Sequence, residues 1–587
     1  MQGELGLQLA LHLILTALPG VAASLYAARR GVRQVPVLLA IGLAATGVVA
    51  MIAFWAYFWD QRVGQTFTFF AFFGSILLTG WSLHGGHLDR GLLRQLGTPL
   101  LLWAAGSAFI VFLGFIHGDI AFPVESATAR FYGPLPSDSD LPRFFSEWFY
   151  ENGSAGSPIY PPDWLASDRP PLQIGFVLAQ RPLVIDLPAL NYQVLGVVLQ
   201  QLWIIGLWAL LVAARLDRLT RGLIMIAVLL SSLVLVNGFY VWPKLLPAAM
   251  LLGAAALVIT PLWEELRANR WAAALIGVLV ALAMMGHGSS VFGVIPLALV
   301  AAFRGLPSWR WIGVAALVAI VVMAPWSAYQ KYGQPPGDRL LKWSLAGVTE
   351  IDDRGTLETI VDSYSEAGLG GALHNKGQNY VTMLGGGPAW EALDRAGDYV
   401  GEGELEPAVR EVRNVLFFDF FPSLGLLLLA PLAMLLLARR RRAERSAEWS
   451  FALLSFAVVV VGCLTWGLLA FGDLPSRTVL HVSSYMLPIL AYAGAVAGLR
   501  AVLPRFAIFL TLLGAALMLA IYVPVLDPLP GSSFSLGNAL LAPLALIGFA
   551  AVAFWTSAKP EAAGFPPDGR RDRSRAADHE QEGGAVV

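Results

Sequence analysis

LWIIGLWALLVAARLDRLTRGLIMIAVLLSSLVLVNGFY, residues 202–240, contains two long apolar runs separated by Arg215, Arg218 and Arg221. An apolar run of about 20 residues is long enough to cross the hydrocarbon core of a bilayer as a helix. Backbone polar groups cannot be left without hydrogen bonds in lipid, so both runs must be helical. This stretch therefore predicts two membrane spans joined by a basic turn.

The rest of the chain has the same character. Of its 587 residues, 57% are hydrophobic and only 13% are charged, whereas soluble proteins have about 25% charged residues, and the mean hydropathy is +0.65. Fifteen stretches are candidate spans, near residues 5–27, 35–58, 66–83, 99–116, 190–214, 221–240, 243–263, 271–286, 289–303, 310–328, 415–437, 450–471, 482–499, 505–525 and 537–557. The predicted fold class is an all-α polytopic membrane protein with about 15 transmembrane helices and two long extracytoplasmic loops.

The basic residues between these stretches predict the topology. They occur in alternate connections: Arg29/Arg30/Arg33, Arg90/Arg94, Arg215/Arg218/Arg221, Arg267/Arg270, Arg304/Arg310, Arg439 to Arg442 with Arg445, and Arg500/Arg505. All of these connections lie on one side if the span assignment is correct, and the positive-inside rule makes that side the cytoplasm. We therefore expect an extracytoplasmic N-terminus and a cytoplasmic C-terminus.

The first apolar run, the net charge and the cysteine content each narrow the class of protein. The first apolar run has no basic region before it and is followed by Arg29 and Arg30, so we expect a true span and not a cleaved signal peptide. The net charge of −1 offers no broad basic surface, and we expect no nucleic-acid partner. The single cysteine, Cys463, cannot form an intrachain disulfide.

The two long loops divide the chain. The first runs over about 117–189 and the second over 329–413, both on the predicted outer side. The predicted segments are N-terminal helices (1–98), a core that includes the first loop (99–328), the second loop (329–413), C-terminal helices (414–557) and a tail (558–587). The tail is rich in Pro, Gly, Ala and charge, a composition typical of disorder.

The loops also carry helical patterns and aromatic residues. Helices are predicted over Ser137 to Glu151 and Thr356 to Ala367, and residues 334–347 have the pattern of a turn that enters an amphipathic helix. The first loop contains Trp148, Tyr160 and Trp164 among other aromatic residues. Such side chains suit a loop that lies on the membrane interface, and they also suit stacking on sugar rings; both interpretations stay open.

Asp119 stands where the first long loop leaves the membrane, after Gly-Phe-Ile-His-Gly. A carboxylate at the outer end of a span can act as a general base on an acceptor hydroxyl or help to bind a cation. The alternative is a solvated acid at a helix end.

Several basic residues on the outer side form a second group of candidates. They are Arg169 in Ser167-Asp168-Arg169-Pro170-Pro171-Leu172, Lys244 in Tyr240-Val241-Trp242-Pro243-Lys244, His287 in a Gly/Ser turn, and Arg477 with His481 four residues later. Cations at headgroup depth can bind a lipid phosphate. The alternatives are a local ion pair for Arg169, snorkelling for Lys244 and a structural histidine for His287.

Several motifs are absent from the sequence. It has no Walker A motif, no His-Glu-x-x-His, no cysteine cluster and no dinucleotide fingerprint. We therefore expect no ATP hydrolysis by this chain and predict no metal ligands. No cofactor is indicated, although the acidic second loop leaves a divalent cation open.

The span that ends at Gly118-Asp119, the long loop with Asp168-Arg169-Pro170-Pro171-Leu172 and the many spans with outer cations together resemble the GT-C superfamily of membrane glycosyltransferases. The resemblance covers about residues 99–500. Within the superfamily, the chain is similar to the protein mannosyltransferases, the aminoarabinose transferases of lipid A and the arabinofuranosyltransferases. These enzymes use polyprenyl-phosphate-linked sugars.

The resemblance implies a function and a set of site residues. It makes Asp119 the catalytic base and assigns the donor phosphate to Lys244 and Arg477. From their own positions, we expect His481, Arg169 and His287 to bind the same phosphate. We further expect substrate contacts from Asp168, Lys342 and Trp164. The expected partners are a polyprenyl-phosphate-linked sugar donor, a glycan, lipid or protein acceptor, and membrane lipid, in the inner membrane of a bacterium.

Two other functions remain open on the sequence. A transporter or flippase for a lipid-linked glycan predicts ionisable residues inside the spans, but the ionisable residues here gather at the outer face. An O-antigen-type polymerase or ligase also transfers sugars from lipid phosphate but depends on loop arginines, for which Arg143, Arg169 and Arg181 are the candidates.

Overall fold

The computed structural model describes residues 2–84, 88–131, 135, 137–441, 446–472, 484–526, 528 and 531–555. Its first half contains thirteen α-helices: α1 (Gln2–Arg29), α2 (Val35–Trp59), α3 (Gln61–Leu83), α4 (Arg90–Gly114), α5 (Pro123–Ala129), α6 (Leu141–Asn152), α7 (Leu172–Gln180), α8 (Pro188–Gln200), α9 (Trp203–Ala213), α10 (Arg218–Leu229), α11 (Ser232–Tyr240), α12 (Leu245–Val258) and α13 (Trp263–Leu266). A two-residue antiparallel hairpin, β1 (Ile159–Tyr160) and β2 (Trp164–Leu165), lies between α6 and α7.

The second half of the described chain is also helical. It contains α14 (Arg270–Gly286), α15 (Val291–Arg304), α16 (Trp309–Ala328), α17 (Arg339–Ala346), α18 (Thr356–Met383), α19 (Pro388–Glu402), α20 (Leu405–Phe418), α21 (Phe420–Ser423), α22 (Ala430–Arg441), α23 (Ala447–Leu469), α24 (Met486–Val502), α25 (Pro504–Tyr522) and α26 (Leu536–Trp555). The chain up to Phe554 forms one compact unit. The boundaries of the predicted segments within it stay predictions.

Within the described residues, nine helices are long and apolar enough to cross a membrane, and α10 with α11 makes a tenth if this pair, bent by 56°, is one span. Five further apolar helices are shorter, with 10–17 residues each: Leu245–Val258, Arg270–Gly286, Gly288–Arg304, Gly425–Leu437 and Met486–Val502. Together these helices occupy all fifteen predicted stretches. The prediction of an all-α polytopic membrane protein is confirmed. The number of crossings stays a prediction, because a helix of 14 residues is only about 21 Å long and the hydrocarbon core is about 30 Å thick.

The centre and the perimeter of the bundle differ in burial. The span Pro188–Ala213, which joins α8 and α9, is surrounded by protein along its apolar length, whereas α16 is mostly exposed. A Cβ on Gly206 of α9 would lie 2.5 Å from the carbonyl oxygen of Ala249 in α12, so glycine lets these two helices touch. On α16, Leu317, Ile320 and Val321 point outward, as expected for a lipid-facing helix.

The outer loops contain the predicted helices and four that the sequence did not predict: α5 and α7 in the first loop, and α19 and α20 in the second. The first loop forms a 3₁₀ turn at Ser137–Asp140 followed by α6, close to the predicted 137–151 helix. The second loop forms α17 and α18, and α18 extends well past the predicted end at Ala367 through a non-helical Gly368. Of the unpredicted helices, α7 is fully buried and packs against α2; a Cβ on Gly175 would lie 2.2 Å from the carbonyl oxygen of Ala50.

Two buried arginines join both loops to the end of α25. Arg130 donates to the carbonyl oxygen of Val523 at 2.9 Å and to the last turn of α4. Arg413 donates to the carbonyl oxygen of Ile521 at 2.9 Å and to that of Phe131 at 3.0 Å. Free carbonyl oxygens at a helix C-terminus carry partial negative charge and favour cations, so these guanidinium groups hold the loops on the membrane part.

Candidate functional site

Lys244 and His287 meet at the predicted outer ends of α12 and α14. Lys244 follows the turn after α11 and immediately precedes α12, and His287 directly follows α14. The Lys244 ammonium nitrogen lies 2.8 Å from His287 Nε2, and both residues are less than 10% exposed. On its other side the imidazole accepts a hydrogen bond through Nδ1 from the backbone N–H of Ser289 at 3.1 Å, which fixes the ring.

Arg169 of the first loop approaches this pair through Asp138. Arg169 Nη2 lies 3.4 Å from Asp138 Oδ2, and the Tyr240 hydroxyl donates to Asp138 Oδ1 at 2.8 Å. Tyr240 is four residues before Lys244, so Asp138 and Arg169 lie beside the segment that carries Lys244. Arg169 Nε is buried and has no acceptor among the described residues. Three of the five predicted phosphate-binding residues, Arg169, Lys244 and His287, are therefore close together, and Asp138 and Tyr240 are new members of the site.

The Trp164 ring contacts Arg169 of the first loop and Arg339 of the second loop. The Arg169 guanidinium carbon lies 4.2 Å from the Trp164 ring centroid, and the Arg339 guanidinium carbon lies 4.3 Å from it. Arg339 also pairs with Asp163 at 3.1 Å. Close by, Ser167 Oγ donates to the backbone carbonyl oxygen of Gln334 at 2.6 Å. Both outer loops are thus joined at the predicted substrate-binding residue Trp164.

Asp168, another predicted substrate contact, is a buried carboxyl group next to Arg169. Its Oδ2 accepts a hydrogen bond from the backbone N–H of Leu165 at 3.0 Å, and its Oδ1 has no partner in the described chain. Burial raises the pKa of Asp168 to about 6, against the opposing effects of the Leu165 hydrogen bond and of Arg339 and Arg169. A carboxyl group with a pKa near neutrality can exchange a proton at physiological pH.

Asp119, the predicted base, is half-buried five residues after the end of α4. Its Oδ1 accepts a hydrogen bond from the backbone N–H of Ala121 at 2.9 Å, and no contact joins it to Arg169 or Lys244 in the described structure. The end of α4 nevertheless packs on α11, since the Phe115 and Phe239 ring centroids are 5.1 Å apart. Phe239 directly precedes Tyr240, so Asp119 follows a helix end that contacts the site.

The remaining predicted residues divide into two groups. Lys342 is fully buried; its ammonium lies 3.0 Å from Asp338 and donates to the backbone carbonyl oxygen of Arg354, so it supports the second loop from inside. Its predicted contact with substrate stays a prediction. Arg477 and His481 lie outside the described residues, which stop at 472 and resume at 484.

A network of buried side chains connects the segments that carry the site residues. Gln200 Oε1 accepts hydrogen bonds from the backbone N–H groups of Leu245 and Leu246 at the start of α12. Gln200 then donates to Gln173 at 3.2 Å, and Gln173 donates to the Tyr192 hydroxyl at 3.1 Å. The Tyr192 hydroxyl donates to the backbone carbonyl oxygen of Ser139, next to Asp138. The segments that carry Lys244 and Asp138 are therefore connected through hydrogen bonds that span four parts of the chain.

Sequence reasoning missed Asp138, Tyr240 and Arg339. Asp138 lies in Ser137-Asp138-Ser139-Asp140, directly before α6, where acids are common because they suit helix N-termini. Its position therefore suggested a helix start and not a site. No group of three or more His, Cys, Asp or Glu residues suited to a metal ion occurs in the described ranges. Comparisons with protein-family models, curated proteins and solved structures found no match to this chain.

Proposed function

We propose that this chain is an inverting glycosyltransferase of the GT-C type that transfers a sugar from a polyprenyl-phosphate donor to a cell-envelope acceptor on the extracytoplasmic face. One observation carries the proposal. Arg169, from a loop, and Lys244 and His287, from two helix ends, converge at one buried place. Because the buried Nε of Arg169 has no acceptor in the described part of the chain, the cluster suits an incoming anionic oxygen.

The proposed reaction is a displacement at the anomeric carbon. The acceptor hydroxyl attacks this carbon and loses its proton to a carboxylate as the bond to the phosphate oxygen breaks. Arg169 and Lys244 stabilise the negative charge that grows on the departing polyprenyl phosphate. A phosphate leaving group needs little help from an acid, so one base suffices and no glycosidase-like pair of carboxyl groups is required.

The base in this proposal is Asp119, on the resemblance to GT-C enzymes. Asp168 is the alternative base, since its pKa of about 6 would keep most of it ionised at neutral pH and able to take a proton. Asp138 is less suited, because Tyr240 and Arg169 both occupy its carboxylate. Variants of Asp119 and Asp168 separate the two assignments.

We also propose that all fifteen apolar stretches cross the membrane. Arginines occur between consecutive stretches at one side, and the two long loops lie at the other. The five short helices then need polar residues at their ends or neighbouring turns to complete the crossing. Lys244 before α12 and His287 after α14 are such residues at the outer side.

No step of the proposal passes through a divalent cation. The second loop was the candidate for a cation site, but its acids Asp352 and Asp362 are already bound by the Arg354 guanidinium, at 2.9 and 2.8 Å. Ion pairing also lowers the pKa of Asp352. These two acids are therefore not available as cation ligands.

The loop arginines distinguish the transferase from the polymerase or ligase alternative. Arg143 forms a two-point contact with Asp140, at 2.6 and 2.7 Å, and Arg181 pairs with Glu147 and Asp186. Their charges are thus compensated within the first loop. Arg169, with a longer contact to Asp138 and a buried donor, is the arginine best suited to a substrate anion.

Binding of farnesyl phosphate to the purified protein tests the phosphate site. Farnesol, which has the same chain and no phosphate, is the control ligand. We expect calorimetry to show that the wild type prefers farnesyl phosphate, and that Arg169→Gln or Lys244→Gln weakens its binding by about tenfold or more, because charge-assisted hydrogen bonds are lost. Arg354→Gln, an exposed arginine of the second loop, should bind as the wild type. Equal affinity for the two ligands, or unchanged binding in both site variants, would remove the proposal's main support.

A further inference from the structure

An apolar cavity that shares no lining residue with the proposed site lies among α1, α2, α4 and α9. Its empty space is about 520 Å³, including the part that opens to the outside of the protein. Apart from a few glycine, serine and threonine positions, the lining is apolar, with Val21, Leu25, Leu39, Leu96 and Leu100 among its residues. These four helices are candidate spans, so the cavity lies within the membrane part. An apolar cavity that opens toward lipid is suited to a hydrocarbon chain.

The shape of the cavity is set by α1 and α2. Its lining on α1 runs from Thr16 to Leu25, a distance of about 14 Å along a helix axis. Glycine brings these helices into contact at its back wall, since a Cβ on Gly20 would lie 2.5 Å from Thr46 Oγ1. On the open side, Ala17 and Leu100 are only half-buried, so the cavity reaches the lipid-facing surface between α1 and α4.

Basic residues surround one end of the cavity. Arg29 follows Leu25 by one helical turn, Arg94 precedes Leu96 by two residues, and Arg33 lies just before α2. Arg33 and Arg94 are exposed. Arg29 lies over the Trp81 ring, with its guanidinium carbon 4.0 Å from the centroid, and donates to the backbone carbonyl oxygens of Trp81 and His84. The three helices thus each place a cation near the same end, on the predicted cytoplasmic side.

We propose that this cavity is a binding site for an anionic phospholipid of the leaflet on the arginine-rich side, with one acyl chain inside the cavity and the phosphate among Arg29, Arg33 and Arg94. The depth of the cavity below the arginines suits an acyl chain that hangs from a headgroup. The charge favours an anionic headgroup over a zwitterionic one, because basic residues at the membrane surface attract anionic lipids. The site does not depend on the proposed sugar transfer.

Native mass spectrometry of the full-length protein tests this proposal, with dioleoyl phosphatidylglycerol and dioleoyl phosphatidylcholine as probes. We expect the wild type to bind phosphatidylglycerol at least several-fold more tightly than phosphatidylcholine. Ala17→Phe fills the cavity and should abolish that binding, while Ile14→Phe, on the exposed face of the same helix, should leave it unchanged. Arg94→Gln should retain binding but reduce the preference for phosphatidylglycerol.

Equal binding of the two lipids, or unchanged phosphatidylglycerol binding in a folded Ala17→Phe variant, would overturn the proposal. If Ala17→Phe does not fold, crosslinking decides. Phosphatidylglycerol with a diazirine in its acyl chain is photolysed with the wild-type protein in membranes. Labels within residues 16–25 or 96–103 support the site, and labels spread over lipid-facing helices such as α16 contradict it.

Discussion

Asp168 and Arg169 are neighbours in sequence with different surroundings. Asp168 is held by one backbone N–H group and burial, while Arg169 stacks on Trp164 and has a buried donor without an acceptor in the described chain. The sequence indicated both as candidates, because prolines fix the backbone around them. It did not show that Arg339, 170 residues later, shares the Trp164 ring, since no local pattern encodes a contact between two loops.

The raised pKa of Asp168 predicts a pH-dependent stability. The folded value is about 6 and the unfolded value is about 3.9, so the folded protein keeps a proton that the unfolded chain loses between about pH 4 and pH 6. The free energy of unfolding therefore falls as the pH rises through this window, by up to about 3 kcal/mol. We expect Asp168→Asn to raise the thermal midpoint at pH 7.5 and to change it little at pH 4.5.

Asp353→Asn is the control for this prediction, because Asp353 is an exposed acid of the second loop. It should leave the midpoint unchanged at both pH values. An equal effect of Asp168→Asn at pH 4.5 and pH 7.5 would show that ionisation of this carboxyl group does not affect folding.

At the scale of elements, apolar periodicity and the arginine turns predicted where the helices lie. The sequence also placed helices in both outer loops. It did not predict α7, because Leu172-Gln173-Ile174-Gly175-Phe176 is apolar on all sides and is too short for a span. Its glycine lets it pack directly on α2, and such a tertiary contact leaves no periodic pattern in the sequence.

Arg130 and Arg413, which we call the arginine clamp, bind the end of α25 and are expected to stabilise the fold. Arg413→Met would leave the carbonyl oxygens of Ile521 and Phe131 without their donors in a buried place. We expect a loss of about 3 kcal/mol in the free energy of unfolding, measured as a lower midpoint in a detergent thermal-unfolding assay. Arg395→Met removes an exposed pair with Glu411 and should cost less than about 1 kcal/mol. Similar midpoints for the two variants would mean that the clamp does not hold the loops.

At the scale of the whole molecule, the arrangement of charge predicts which loops face outward. We expect cysteines introduced at Ala155 and Ser365, in the two long loops, to react with a membrane-impermeant maleimide in intact cells, because both positions are exposed. A cysteine at Leu306, which is 72% exposed between α15 and α16, should react only after the cells are opened. The background is Cys463→Ser, which removes the single native cysteine. Labelling of position 306 in intact cells would contradict the crossing of α16, which separates this position from Ser365.

The surface glycans of a host that lacks this chain test the proposed sugar transfer most directly. The host is given back the wild type, Asp119→Asn, Asp168→Asn or Arg354→Gln, with equal amounts in the membrane. We predict that the wild type and Arg354→Gln restore a missing sugar and that Asp119→Asn does not. If Asp119→Asn restores the sugar and Asp168→Asn fails, the base is Asp168. If every variant restores it, or if the wild type changes no glycan, the proposed glycosyltransferase function is wrong.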